Sequence, residues 1–580
     1  MDVILIAPME VSLRNTDNFR ENNVENDHTK LSENVFNSMF LKQYRENIGI
    51  GALSAYLKKH GYKTKIYNAN MENIENKELV SKVVKANPKV LGISLLYDLH
   101  VYNTYLLVKT LRNKGYNGHI TLGGPFATCT FELLISSLSG VDTIIRGEGE
   151  ITLLNLVEAV SYDRDWRDIN GIVWKDNGTV RVNNPQKVID DLSILPHVER
   201  DGLKHLKSKG IPINVASIYS SRGCKGFCTY CSAPIISRLT KKGTWRPRSP
   251  ESIISEIEYL VLELGINYLY FCDDNFFGYG PESKNRLKEL AQGIIEKKLN
   301  IRFHAEVRVD SRIDIDLLKL LRQAGLQDVL LGIESGSQTT LNRWKKGTTV
   351  DRNKKAIQLL HNLNFNVEPS MILVDPLTSS KEFIETVEFI KETNLLKTSF
   401  PLHIFNQLIV FPGTSIEKEL LDCEVITPIK SVKSLEQWSS PEDLYVELQR
   451  LYCRYYKIRD DKVNVVWSVL SQYSNTLTLL ENRVPEYLLF QRANIKNFPN
   501  KSKQIKEEYF TKVSHIKYWK NNIAALILDM LDSASDYLKY STNKPSTAEF
   551  NKKIKEIVDN YHFKTVHTDF ERFCKEVDAI

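Results

Sequence analysis

The chain has 580 residues, 42% of them hydrophobic and 26% charged, the balance of a folded protein of roughly two to four domains rather than of a disordered or membrane-embedded chain. Its 77 basic and 71 acidic residues leave a net charge of +6, too dilute to define a nucleic-acid surface. Eight cysteines, three of them clustered, do not make a disulfide framework. No apolar run reaches the roughly 18–20 residues that span a bilayer, and "MDVILIAPME" lacks the basic segment and cleavage site of a secretory signal. A cytoplasmic protein without a membrane span is expected, with nucleic acid unlikely as a partner.

In chain order, "VILIAP" (Val3–Pro8) predicts a buried strand. A helix follows over Ile48–His60, stopped by Gly61 before a second strand. Next come the strand "VLGISLLY", a helix capped by Gly115, and the strand-and-turn segments "HITLGGP" and "VDTIIRGEGE". Apolar strands alternating with helices imply βαβ units and a parallel sheet, with ligands at the carboxyl ends of the strands. A doubly wound, Rossmann-like domain is therefore expected over 1–160. The polar stretch Glu10–Asn47 follows its first strand and reads as a binding loop.

Residues 161–210 read as a connector holding a hairpin that turns at Asp176–Gly178. A second α/β series occupies 211–416, from Ile213 to about Phe411. Its six strand-like segments run from "INVASIYS" to "PLHIFNQLIVF" and suit a partial (β/α)6 barrel with reactive groups at the strand carboxyl ends. A helical C-terminal region fills 417–580. Its aromatic residues Tyr452, Tyr455, Tyr456, Trp467 and Trp519 read as core packing, and Lys503–Lys520 as a solvated face. Cys272, Cys423, Cys453 and Cys574 lack partner spacing and read as buried thiols.

The chemistry is concentrated in "SRGCKGFCTYCSAP", where Cys224, Cys228 and Cys231 are spaced C-x3-C-x2-C after the first barrel strand. A structural zinc needs four closed ligands, and no nearby residue supplies the fourth. Three thiolates on a four-iron cluster leave one iron open, and an open iron can bind a substrate.

This spacing, with Tyr230 just before the last cysteine, resembles the radical S-adenosylmethionine (radical SAM) superfamily. Later segments are similar in order: "YFCDDNFF", "HAEVRVD", "GIESGSQTTLNRWKKGTT" and "FPGTSIEKEL". The resemblance implies a [4Fe-4S] cluster on the three cysteines and SAM on its open iron, cleaved by one-electron reduction to a radical that abstracts hydrogen. It also implies SAM contacts from Tyr230, Asp273, Glu306, Arg308 and Glu334. "LVDPLTSSKEF" departs from the glycine-rich turn of relatives.

The first domain resembles the cobalamin-binding domain that precedes many such barrels, through "GISLL", "GGPFAT" and "RGEGE". By that resemblance Ser94, Leu96, Gly123, Gly124, Thr128, Gly147, Gly149 and Glu150 would contact cobalamin. The motif that places a histidine on cobalt is absent after the first strand, and His100 reads as a packed or capping residue. Two cofactors facing one substrate imply methylation of an unactivated carbon of a peptide or natural product, with a reductant such as flavodoxin or ferredoxin. A cyclase or rearrangement enzyme and a nonenzymatic cobalamin or metal sensor are the alternatives.

Overall fold

The structure is a computed structural model that describes residues 1–9, 46–210, 213–239, 245–309, 314–396, 401–426, 456–474, 522–541 and 545–561. Most of the Glu10–Asn47 loop, Tyr452, Tyr455, Trp519, Lys503–Lys520, Cys453 and Cys574 lie outside the described residues.

Seven strands form the first sheet: β1 (Val3–Ala7), β2 (Thr64–Asn68), β3 (Val90–Ser94), β4 (His119–Gly123), β5 (Thr143–Ile145), β6 (Ile172–Asp176) and β7 (Thr179–Val182). Their order is β2-β1-β3-β4-β5-β6-β7, with the first five parallel and the last two antiparallel. Strand alternation sends Val3, Leu5 and Ala7 of β1 into one core and Ile4 and Ile6 into the other. Both faces are therefore covered, as a doubly wound sheet requires. The helix Ile48–Lys59 starts on Asn47, whose side chain caps Ile50 N–H. It ends at Gly61, whose φ of +87° suits a residue without Cβ. The hairpin turns at Asn177 and Gly178, as expected, but it is no mere connector: β6 pairs with β5 and extends the first sheet.

Past the helix Asp201–Ser208 the second series begins with β8 (Val215–Ile218), followed by the short ladder of β9 (Ser221–Arg222) and β10 (Arg246–Pro247). Then come β11 (Tyr268–Phe271), β12 (Arg302–Arg308), β13 (Leu326–Glu334) and β14 (Asn366–Met371). They make an all-parallel sheet in the order β14-β13-β12-β11-β8. Leu269, Phe271, Phe303, Ala305, Val307, Val329, Leu331 and Ile333 pack outward into one large core. The alternate residues Tyr270, Glu306, Arg308 and Glu334 line the concave side, so polar groups collect inside the partial barrel.

The expected sixth strand, "PLHIFNQLIVF", is reduced to a 3-10 turn over Pro401–Ile404 and one parallel bridge, Val374 to Gln407. Main-chain bonds Leu373 N–H to Asn406 O (2.7 Å) and Leu408 N–H to Val374 O (2.8 Å) still tie it to the sheet edge. Helical residues 461–474 and 522–540 cover this flank. There Tyr456 donates to Leu408 O (3.0 Å) and Trp467 to Gln407 Oε1 (2.9 Å), and Val466, Leu470, Ile527 and Met530 join the barrel core. Among the described residues no helix is long and apolar enough to cross a membrane.

Candidate functional site

The carboxyl ends of both sheets open onto one cavity of about 1230 Å³. Its first wall is the topological switch point of the seven-stranded sheet, where β1 and β3 diverge, and all eight residues expected to contact cobalamin line it. Their polar side chains are largely occupied within the protein. Ser94 accepts from Asn47 (3.1 Å), Thr128 donates to Gly124 O (2.9 Å) and accepts from Gly147 N–H (3.0 Å), and the Glu150 carboxylate accepts from Arg222 (2.7 Å). What this wall offers is glycine backbone and aliphatic surface, the close approach a large flat ligand needs. The cavity also reaches Leu5, Gly92 and Thr121. The buried Thr121 hydroxyl has no hydrogen-bond partner in the protein, so the slot fits a ligand with a polar tail. His100 is buried, with Nδ1 accepting from the N–H groups of Leu96 (3.2 Å) and Tyr97 (3.4 Å). It caps the turn, as expected.

The opposite wall is the barrel mouth, where Gly223 and Ala233 of the cysteine loop and Tyr270, Cys272, Asp274 and Glu306 line the cavity. Each sulfur of the loop meets a donor: Gly226 N–H to Cys224 Sγ (3.3 Å), Arg308 Nη1 to Cys228 Sγ (3.3 Å) and Ala233 N–H to Cys231 Sγ (3.4 Å). The Tyr279 hydroxyl also lies 3.1 Å from Cys224 Sγ. Burial pushes the Cys231 thiol up to about 12, with Cys228, Asp274 and Cys224 adding to it and the Ala233 N–H opposing. A thiol so placed ionises when a metal takes the proton's place. Among the described residues no three His, Cys, Asp or Glu side chains gather closely enough to grip a single ion. Three sulfurs on one loop, two of them buried and the third half-buried, each with a donor, fit the ligand set of a cluster.

The loop is braced from the barrel. Thr229 N–H donates to Trp344 O (2.9 Å), and Tyr230 packs edge-on against the Trp344 ring at 5.5 Å. Trp344 in turn donates to Asp375 (2.8 Å), and Asp375 also binds Arg343 (3.0 Å) and the Thr378 hydroxyl (2.9 Å). Here the segment "LVDPLTSSKEF", which lacks the glycine-rich turn, holds the aromatic support of the cysteine loop.

The structure separates the expected SAM residues. Glu306 faces the cavity and accepts from the Tyr270 hydroxyl (2.9 Å). Arg308 is buried, reaching Cys228 and Lys346 O (2.7 Å). Glu334 stands at a β-bulge with φ +68° and pairs with Lys346 (2.7 Å) in a buried site; the bulge re-aims its carboxylate. Asp273 is buried beneath β8, its carboxylate held by Ser220 (2.8 Å) and Ser221, while its neighbour Asp274 opens to the cavity. Burial first, then Asp273 and Glu306, push the Asp274 carboxyl up to about 6, the Gly223 N–H opposing. Sequence reasoning did not select Asp274, Lys346 or Tyr279. The only available signals were a doubled acid, a doubled lysine and a lone aromatic. Two cysteines read as buried are exposed: Cys423 follows the helix Ser415–Asp422, and Cys272 faces the cavity because the strand's alternation turns it inward.

Comparison with known proteins agrees with this architecture. Residues 218–390 match the radical SAM superfamily and residues 41–157 the B12 binding domain. The chain is thus a radical SAM enzyme joined to a B12-binding domain, and its cofactors are a [4Fe-4S] cluster, SAM and cobalamin.

Among its relatives, an uncharacterized methyltransferase of Pyrococcus horikoshii is 28% identical over 419 residues, 70% of this chain and 87% of that protein. An anaerobic magnesium-protoporphyrin IX monomethyl ester cyclase of Rubrivivax gelatinosus is 27% identical over 403 residues, 67% and 70% of the two chains. The solved structure of a cobalamin-dependent SAM radical enzyme, OxsB with aqua-cobalamin bound, superposes with a TM-score of 0.63 at 16% identity, over 97% of this chain and 84% of that one. That likeness shows a common fold.

Proposed function

We propose that the protein methylates an unactivated carbon of a small molecule or peptide, in the cytoplasm, with electrons from a flavodoxin or ferredoxin. The observation that carries this reading is the single cavity between the two walls, with a B12-binding sheet on one side and the cysteine loop on the other. The methyltransferase relative supports it. When bound, the cofactors supply a hydrogen-abstracting radical and a transferable methyl group, chemistry that no protein acid or base achieves at an unactivated C–H bond.

The chain's own residues hold and shape the site. Cys224, Cys228 and Cys231 ligate the cluster, with Gly226, Arg308 and Ala233 donating to their sulfurs. Glu306 and Asp274 face the cavity as acceptors for the hydroxyl and ammonium groups of SAM. Arg308, Glu334 and Tyr230 stand behind them, and the glycines at 123, 124, 147 and 149 admit the corrin.

The cyclase relative keeps a second reading in view, ring formation without methyl transfer. Anaerobic turnover with methyl-labelled SAM and mass analysis of the product separates the two. Label in the product is expected, and a product of unchanged carbon count would favour cyclisation. A reconstituted protein that binds corrinoid but cleaves no SAM under reductant would instead be a sensor.

A further inference from the structure

The turn Arg146–Glu150 lies at the carboxyl end of β5, and its glycines line the cavity. Its two acids, Glu148 and Glu150, also stand at the cavity edge, but their carboxylates are spent on arginines of the barrel. Glu150 accepts from Arg222 at 2.7 Å, and Glu148 lies 3.4 Å from Arg222 and also pairs with Arg246. Arg222 and Arg246 stand directly opposite each other on the β9–β10 ladder, and only Gly223 separates Arg222 from Cys224. Arg222 also lies over the Tyr219 ring at 4.8 Å.

Each partner alone is frustrated. Two guanidinium groups face each other across an antiparallel pair, and two carboxylates stand two residues apart; like charges so placed repel. Docked together they neutralise one another in a poorly solvated interface. Burial alone would raise the Glu150 carboxyl, yet Arg222 holds it below its ordinary value. These four side chains join the sheet under one cofactor to the loop that carries the other.

We propose that Glu148 and Glu150 form a clasp with Arg222 and Arg246 that sets the position of the cysteine loop against the corrin-binding sheet. They are positioning residues, and Glu150 serves the corrin site through Arg222 rather than by touching the ligand. The inference rests on the two-cofactor reading for its purpose, while the clasp itself can be tested without cofactors.

The test uses the full chain with Glu148→Gln/Glu150→Gln, a single Glu148→Gln in case the double variant fails to fold, and a charge swap: Glu148→Arg, Glu150→Arg, Arg222→Glu and Arg246→Glu. In hydrogen exchange without added cofactors, the neutral variants should speed exchange at 219–223 and 246–248 by roughly tenfold or more, with distant amides unchanged. The charge swap should restore protection. Unchanged exchange at these amides, or faster exchange that the swap leaves unrestored, would overturn the clasp.

With cofactors loaded, pulsed dipolar electron paramagnetic resonance between the reduced cluster and cob(II)alamin reads the spacing. The wild type should give one narrow distance, the neutral variants a broadened one, and the swap a narrow one again. A lost corrinoid affinity that the swap does not restore would make Glu150 a ligand contact and overturn its positioning role. If the wild type binds no corrinoid, the two-cofactor reading fails, and the exchange measurement still decides the clasp.

Discussion

The two walls of the cavity are built from opposite materials. The sheet wall presents glycines and aliphatic residues, with Ser94, Thr128 and Glu150 engaged within the protein, whereas the barrel wall sets the carboxylates of Asp274 and Glu306 at the cavity, backed by the three thiols, Arg308 and the buried Lys346–Glu334 pair. A corrin is broad and rigid, so shape and close backbone approach select it. A small, charged cosubstrate on a cluster needs fixed charges held in a poorly solvated place. The difference explains why substitutions on one wall should leave the other cofactor in place.

The largest effect is expected at the thiols. Cys228→Ala should abolish the cluster's charge-transfer absorbance and SAM cleavage while corrinoid still binds. Corrinoid lost together with the cluster would break the independence of the two walls. Lys346→Met strands Glu334 in a buried site, which costs about 3–5 kcal/mol. Thermal melting should show that loss, with reduced SAM affinity, and the wild-type melting temperature would mark the pair as dispensable.

On the other wall, Gly124 has φ +96°, and a Cβ there would come within 2.6 Å of Leu95 O. Gly124→Ala should strain the turn by about 1–3 kcal/mol and weaken corrinoid binding by roughly tenfold, about 1.4 kcal/mol. Reductive SAM cleavage should persist, and a parallel fall in both would argue against separate walls.

The smallest effect concerns pH. The Asp274 carboxyl sits at about 6, above its ordinary 3.8, so the folded chain holds that proton more tightly than the unfolded one. Stability from this group is complete at low pH and declines as pH rises from about 4 to 6. Asp274→Asn should therefore melt higher than wild type at pH 7, and the gain should vanish near pH 4. A constant difference between the two pH values would assign the effect to something other than ionisation.

Much of the fold was legible because it is written in short-range patterns. The all-apolar β1, the Gly61 and Gly115 stops, and the alternation in β11 and β12 each follow from neighbouring residues. The sixth barrel segment misled because an apolar run does not say whether the chain finds a full ladder; here it found one bridge. Cys272 misled for a related reason: lack of a partner cysteine says nothing about which face of a strand it occupies. Asp273 and Asp274 are identical in type and adjacent, so their roles could not be divided locally. One reaches back fifty-three residues to Ser220, and the other turns to the cavity.

Cysteine spacing, through its resemblance to the radical SAM pattern, thus implied an iron site with an open position, because three ligands within eight residues on one loop are a local fact of the chain. Glycine turns and strand periods likewise announced two α/β units. The partners of the charges emerged only on folding: Glu150 meets Arg222 from seventy-two residues away, and Arg308 meets Cys228 from eighty. Such pairs depend on which strands lie side by side and how two domains dock, and electrostatics acts through space rather than along the chain.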